Sequence, residues 1–222
     1  MSAFPGSPRI LKGGIVLIDA ASSAVLRVIA LQYNPDSLTR SLQVQAVSAD
    51  GGDRSEVLRL KGPPVETLKL EAEIDATDQL EFPEQNGGVT ESGIFAQLAA
   101  LETMVYPSSG QLRANDLLAQ IGTLEIVPME TPLALFVWSK SRILPVRVTE
   151  FGITEEAFDT ALNPIRARVS LGLRVLSVND VPSGHKAASL FMSYLQQKER
   201  LAGAAAGAAA GQLSALGLSG VP

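Results

Sequence analysis

The chain has 222 residues, 46% of them hydrophobic, no cysteine, and a formal charge of −5 from 18 Lys+Arg against 23 Asp+Glu. That length suits one large domain, or one domain with an appendage, and allows a sizeable core. The acidic balance argues against a general nucleic-acid binder, and the lack of cysteine removes disulfides, thiolate zinc sites and cysteine nucleophiles together. Residues 1–14 are rich in Pro, Gly and Ser and read as an arm, with no basic stretch leading into an apolar run, so no signal peptide is expected.

Gly14 to Asp19 predicts a short apolar strand and Val25 to Tyr33 the next, turned by Asn34-Pro35-Asp36-Ser37, where Asn and Asp would bond their own backbone and Pro fixes φ. Leu38, Leu42, Val44 and Ala46 suggest a further strand, and Asp50 to Asp53 a loop. Val65 to Asp75 alternates strictly: Leu68, Leu70, Ala72 and Ile74 share one face, and Lys69, Glu71, Glu73 and Asp75 share the other. That period of two predicts a strand with one buried and one wet face.

Asp78 to Gly93 reads as a long loop. Ser92 is placed to cap a helix that carries Ile94, Leu98, Leu101 and Val105 at helical spacing and ends at Pro107, the one helix expected in the body. Leu133 to Trp138 predicts a central strand, and Ile143 to Phe151 another, with Pro145 marking an edge or bulge. Thr154 to Phe158 is mixed. From Pro164 the last strand puts Ile165, Ala167, Val169, Leu171, Leu173 and Val175 on one face and Arg166, Arg168 and Arg174 on the other. The last three strands read as an antiparallel meander.

The character changes near Pro182. Leu190, Phe191, Tyr194 and Leu195 share a helical face, and from Leu201 the chain is almost pure Ala and Gly. Gly203, Gly207 and Gly211 have small-xxx-small spacing, but Gln212 and Ser214 interrupt the run, so a frayed helical tail is expected in preference to a membrane span. Three units follow: an arm over 1–14, a β domain over 15–182 and a helical, Ala/Gly-rich tail over 183–222.

No set of residues is spaced for catalysis, and neither a metal nor a cofactor is expected. His185, the lone histidine, reads as a solvated linker residue. Glu155, Glu156 and Asp159 read as a wet hairpin in preference to an acid/base pair or cation site. Asp50-Gly51-Gly52-Asp53 lacks the ligand ladder of a calcium loop, and Gly13-Gly14 and Gly87-Gly88 lack a phosphate-binding pattern. Arg166, Arg168 and Arg174 are either a salt-bridged exposed face, with Glu150 and Glu155 as partners, or a pore lining or interface.

Three short segments carry a resemblance: Leu31-Gln32-Tyr33-Asn34-Pro35, the strand ending Leu135-Phe136-Val137-Trp138, and Pro164-Ile165-Arg166-Ala167. In this order, around the helix at 92–105, they resemble the N-terminal domain of contractile injection system tube-like proteins over roughly residues 24–180. The chain departs from that pattern at Ser139, where the family has Gly after the Trp, and at Pro145. It also continues after Pro182 as a helix and an Ala/Gly tract instead of a lysin motif, so no glycan contact carries over.

The resemblance implies a mainly β, α+β fold: an antiparallel β-barrel or β-sandwich of the contractile tail-tube type with a packed helix. It implies a non-enzymatic baseplate component, made in the cytoplasm and built into a phage-tail-like particle. A hexameric ring of this chain would join the inner tube protein to the spike protein, with other baseplate proteins as partners. Leu190, Phe191, Tyr194 and Leu195 would dock the tail on a neighbour. The alternatives are an inner tube subunit or tube-end cap, a small-ligand-binding β-protein, and a membrane-tethered component using the Ala/Gly tail.

Overall fold

The computed structural model describes residues 11–46, 59–120 and 131–215, with side chains in the last helix described to residue 204. Residues 1–10 and the Asp50 to Asp53 loop lie outside the described residues. One sheet dominates: β1 (Gly14–Ile18), β2 (Val25–Ala30), β3 (Leu38–Gln43), β4 (Val65–Asp75), β5 (Leu133–Ser139), β6 (Arg142–Phe158) and β7 (Pro164–Val175). All pairs are antiparallel, in the order β2-β1-β5-β6-β7-β4-β3.

The expected barrel or sandwich becomes a single rolled sheet with an unzipped seam. Gln32, just past β2, bonds to Asp75 of β4. Two residues of chain reach about 7 Å, whereas five strand spacings of a flat sheet would separate β2 from β4 by about 24 Å. The sheet must therefore curl until its margins meet. β3 pairs with β4 only from Val65 to Leu70, so the rest of β4 faces the seam without a strand partner.

The inward rows of the strands, including Ile15, Leu17, Leu68, Leu70, Phe136, Leu144, Val169 and Leu173, form one buried cluster. Helix α3 (Phe95–Glu102) wedges Leu98 and Leu101, with the preceding Ile94, into that cluster. Arg27 of β2 donates to the Ala100 carbonyl (3.1 Å) and to Thr103, tying β2 to the end of α3.

Several sequence expectations change. The stretch read as a loop from Asp78 to Gly93 holds α1 (Thr77–Leu80), a 3-10 turn (Pro83–Gln85) and α2 (Gly87–Ser92). Ser92 is not a cap, because its hydroxyl donates back to the Gly88 carbonyl (2.9 Å) inside α2. Gly93, at φ +58°, separates the two helices, and a Cβ there would strike the Pro164 carbonyl oxygen. A further body helix, α4 (Ser109–Gln120), opens on a reciprocal cap between Ser108 and Gln111. Thr154 to Phe158 continues β6. Pro145 lies in this central strand, and its carbonyl accepts Leu176 N–H (2.8 Å) just beyond the last β6–β7 pair. The missing N–H thus falls where the ladder ends.

The last helix, α5 (Lys186–Ala215), begins at His185, which is half-buried instead of solvated and accepts Ala187 N–H through Nδ1 (3.1 Å). α5 packs back on β6: Ala187 and Leu190 meet Ile18 and Leu133, and Phe191 and Tyr194 join the main core.

Candidate functional site at the seam

The three segments that carry the resemblance lie far apart in sequence and are linked by a chain of contacts that runs through the seam. Leu31 is buried, and its N–H donates to the Gly13 carbonyl (2.9 Å). Asn34 does not close its own turn. Its Oδ1 accepts Gly13 N–H and its Nδ2 donates to the Leu11 carbonyl, both at 2.9 Å, so its amide stands in for a neighbouring strand. Gly13 lies flat against Trp138, where an added Cβ would sit 2.8 Å from the ring, and Trp138 stacks on Phe136 with centroids 5.7 Å apart. The first motif is thereby joined to the second through Gly13. Tyr33 and Pro35 line the outer side of this loop.

Gln32 repeats the device one strand away. Its Nε2 donates to the Asp75 carbonyl (2.6 Å) and its Oε1 accepts Asp75 N–H (2.9 Å), a side-chain copy of antiparallel pairing. Asp75 in turn takes Arg166 Nε at 2.7 Å and Thr77 N–H at 2.7 Å. Burial raises the pKa of the Asp75 carboxyl, but the hydrogen bonds from Thr77 and the Arg166 guanidinium outweigh it and hold the pKa below the usual carboxylate value. Arg166 belongs to the third segment, so this chain of contacts joins the first motif to the third. Pro164 closes the loop: its carbonyl accepts Ile94 N–H (2.8 Å) and seats α3, while Ala167, fully buried, faces Ile74 across the β4–β7 ladder.

Arg166, Arg168 and Arg174 occupy the outer face of the sheet with other partners than expected. Arg166 pairs with Asp75 (2.6 Å), Arg168 with Glu156 (3.1 Å) and Arg174 with Asp180 (2.5 Å). Glu150 instead reaches Lys69 (2.7 Å) across Gly172, whose missing side chain leaves room for the bridge. Asp159 caps its own hairpin through Ala161 and Asn163 N–H, both at 2.8 Å. Among the described residues no group of three His, Asp or Glu side chains could hold a metal.

The expected docking face of the tail is turned inward. Phe191 and Tyr194 are buried, Leu190 and Leu195 half-buried, all against this chain's own domain. The partner that sequence reasoning missed is Glu66, whose side chain is only 4% exposed. It accepts from Tyr194 OH (3.1 Å) and Lys198 Nζ (2.9 Å), with Arg40 Nε at 3.7 Å, while Lys198 also lies 4.1 Å over the Tyr194 ring. The signal was present: Glu66 is in phase with Leu68, Leu70, Ala72 and Ile74, and an acid in an inward row must find cations.

Outside the seam, a cleft of about 790 Å³ is lined by Lys12, Gln32, Tyr33, Asp36, Glu71 and Glu73 among others. Inside it, a smaller one of about 220 Å³ runs between β2, β4 and α3. Gln32 and Glu73 line both, so the seam is a lateral gap spanned by Gln32.

No protein-family model matches the chain, and no curated protein matches it. Among solved structures, a chain in the tail of an empty gene transfer agent particle of C6 symmetry is 12% identical at a TM-score of 0.30, covering 78% of this chain and 95% of that one. A chain in the virion of a native gene transfer agent particle gives 12% identity, a TM-score of 0.28 and the same coverage. Likenesses this loose fix neither fold nor function.

Proposed function

We infer that this chain is a structural component of a contractile, phage-tail-like particle: a ring-forming baseplate subunit that joins the inner tube to the spike. The observation that supports the reading best is the convergence at the seam. Segments centred on Asn34, Trp138 and Arg166 resemble one family, and here they form one connected set of contacts, within which the Gln32–Asp75 bonds close the roll. A shared motif with a shared mechanical purpose is what a common fold requires, whereas scattered chance matches would not touch.

The surface also suits an assembly part. β2 has a free edge and exposes Val25, Leu26 (56%) and Val28 (65%), an apolar edge strand of the kind that needs covering. The helices of the described residues include none long and apolar enough to cross a membrane. The seam itself is a positioning device made of amides, one ion pair and an aromatic stack, and on this reading the chain carries out no reaction.

The test is to tag the protein in its native host, purify tail-like particles and locate the tag by gold labelling. Label confined to the spike-bearing end supports the baseplate ring. Label along the whole tube makes the chain a tube subunit, and label at the far end makes it a cap. Particles without label remove the reading.

A further inference from the structure

The outer cleft of the seam is acidic, and the segment that enters the domain beside it is basic. Asp36, Glu71 and Glu73 line the cleft against a single Lys12, with the Tyr33 ring at its wall. Asp36 makes no ion pair among the described residues, and Arg168 and Arg166 approach Glu71 and Glu73 only to 3.8 and 3.9 Å. These carboxylates remain able to take a further cation. Glu73 also offers its backbone. Alternate residues of an antiparallel strand turn N–H and C=O to the same edge, and Asp75 gives both to Gln32. Glu73 therefore turns its own pair to that edge. The β3 ladder stops at Leu70, and neither group of Glu73 has a backbone partner there among the described residues.

The β1–β5 register, continued one turn of the pleat beyond Gly14 and Val137, brings Lys12 beside Ser139 and Leu11 beside Lys140, at the rim of this cleft. Residues 1–10 thus join the domain at the cleft. Arg9 is their only charged side chain. It stands three residues from Lys12, about 10 Å of extended chain, so its guanidinium can reach the cleft carboxylates of its own molecule.

We propose that residues 1–10 strap the outer side of the seam in their own chain, with Arg9 set among Asp36, Glu71 and Glu73. The proposal goes beyond the ring reading and does not depend on it. A planar guanidinium suits the place, because it can bridge two carboxylates and stack on Tyr33. Tethering selects this chain over another copy: a short linker gives an effective concentration on the order of millimolar. Pro8 has no N–H to donate, which limits backbone pairing to a short stretch and matches the one open residue at Glu73. Gln32 then spans the gap itself, and the arm covers it from outside.

The absence of cysteine permits a single spin label at Ser7→Cys in the full chain. The amide signals of Glu71 and Glu73 are expected to broaden, as well as those near Leu11. Adding Arg9→Glu to the labelled chain sets a like charge among the acids. Broadening at Glu73 should then fall roughly tenfold, while that at Leu11, fixed by the covalent chain, stays. Arg9→Glu with Asp36→Lys should recover it, and matching thermal melts show that these variants keep the fold. Salt gives the same reading without a substitution: broadening at Glu73 in the labelled parent should weaken as ionic strength rises. No broadening at Glu73, or broadening unchanged by both Arg9→Glu and salt, overturns the proposal. A mixture of isotope-labelled chain with spin-labelled, isotope-free chain reports only contacts between copies. Broadening at Glu73 in that mixture would assign the cleft to a neighbour's arm and overturn the strap as well.

Discussion

At the seam the roll is bridged by a neutral amide, whereas α5 is held against the sheet by a buried charge. Gln32 and Asn34 copy peptide groups and satisfy backbone that a missing strand would have satisfied. Glu66 instead brings a carboxylate into the interior row and collects Arg40, Tyr194 and Lys198 around it. The amide bridges cost little to desolvate and can open one at a time. The charged knot resists opening, since undocking α5 takes Tyr194 and Lys198 away from a carboxylate that is itself only 4% exposed. The seam is thus suited to adjust in an assembly, and the α5 closure to stay shut.

Substitutions that break each closure separate the two behaviours. The largest effect is expected at Gly93, where α3 is seated on the seam. Gly93→Ala forces a side chain into a glycine-only backbone conformation and against the Pro164 carbonyl, at a cost of about 4 kcal/mol. Chemical denaturation should show this loss as a global one, because Ile94 and Leu98 leave the core with the turn. Next comes Glu66→Ala. A fully buried pair would cost 3–5 kcal/mol to break, but Arg40 and Lys198 are 38% and 34% exposed, so a loss of about 3 kcal/mol is expected. The accompanying sign is loss of α5 from the domain, read as protease cleavage between Pro182 and Lys198 while the sheet survives. A variant that melts as one unit with α5 still protected would show that the apolar face of α5 suffices without the knot.

The same contrast explains what was legible in the sequence. Apolar runs and local periodicity located each strand, β6 only in its first part, and for Val65–Asp75 and the last strand periodicity also gave the faces, because burial on one side imposes a period of two. The helix around Leu98 was visible for the same reason. The short helices between Thr77 and Ser92 were not, since none buries a residue and their composition is that of turns. α4 was invisible likewise: it buries nothing, and its only signal is the Ser108–Gln111 cap. Long-range partners were least legible. Asn34 was read as a local turn residue, Phe191 and Tyr194 as an outward face, and Glu150 as an arginine partner. Which segment an amide or carboxylate reaches depends on how far the sheet curls, and no local pattern encodes that curl. The candidate site was therefore visible as three motifs, and only the fold shows that they touch.

Smaller effects belong to the seam. Gln32→Ala removes two hydrogen bonds from half-buried backbone at Asp75 and is expected to cost about 2 kcal/mol. Amide exchange should rise at Asp75 and the end of β4 far more than under α5, and equal acceleration at both ends would deny that the closures are independent. The smallest effect is visible only in acid. The Asp75 pKa is lowered in the fold, so its hydrogen bonds add stability above the unfolded carboxylate value, 3.8, and lose it as pH falls through the lower folded value. Asp180, near the start of α5, is lowered as well, burial there being outweighed by Ser177 and Arg174. Asp75→Asn should therefore flatten only part of the fall in stability below about pH 4, the Asp180 share remaining. Denaturation curves of parent and variant between neutral pH and pH 3 measure it. Parallel pH dependence in the two proteins would mean that the end of β4 holds without the Asp75–Arg166 pair to its neighbour β7, and that the Gln32 amide suffices to bridge the seam.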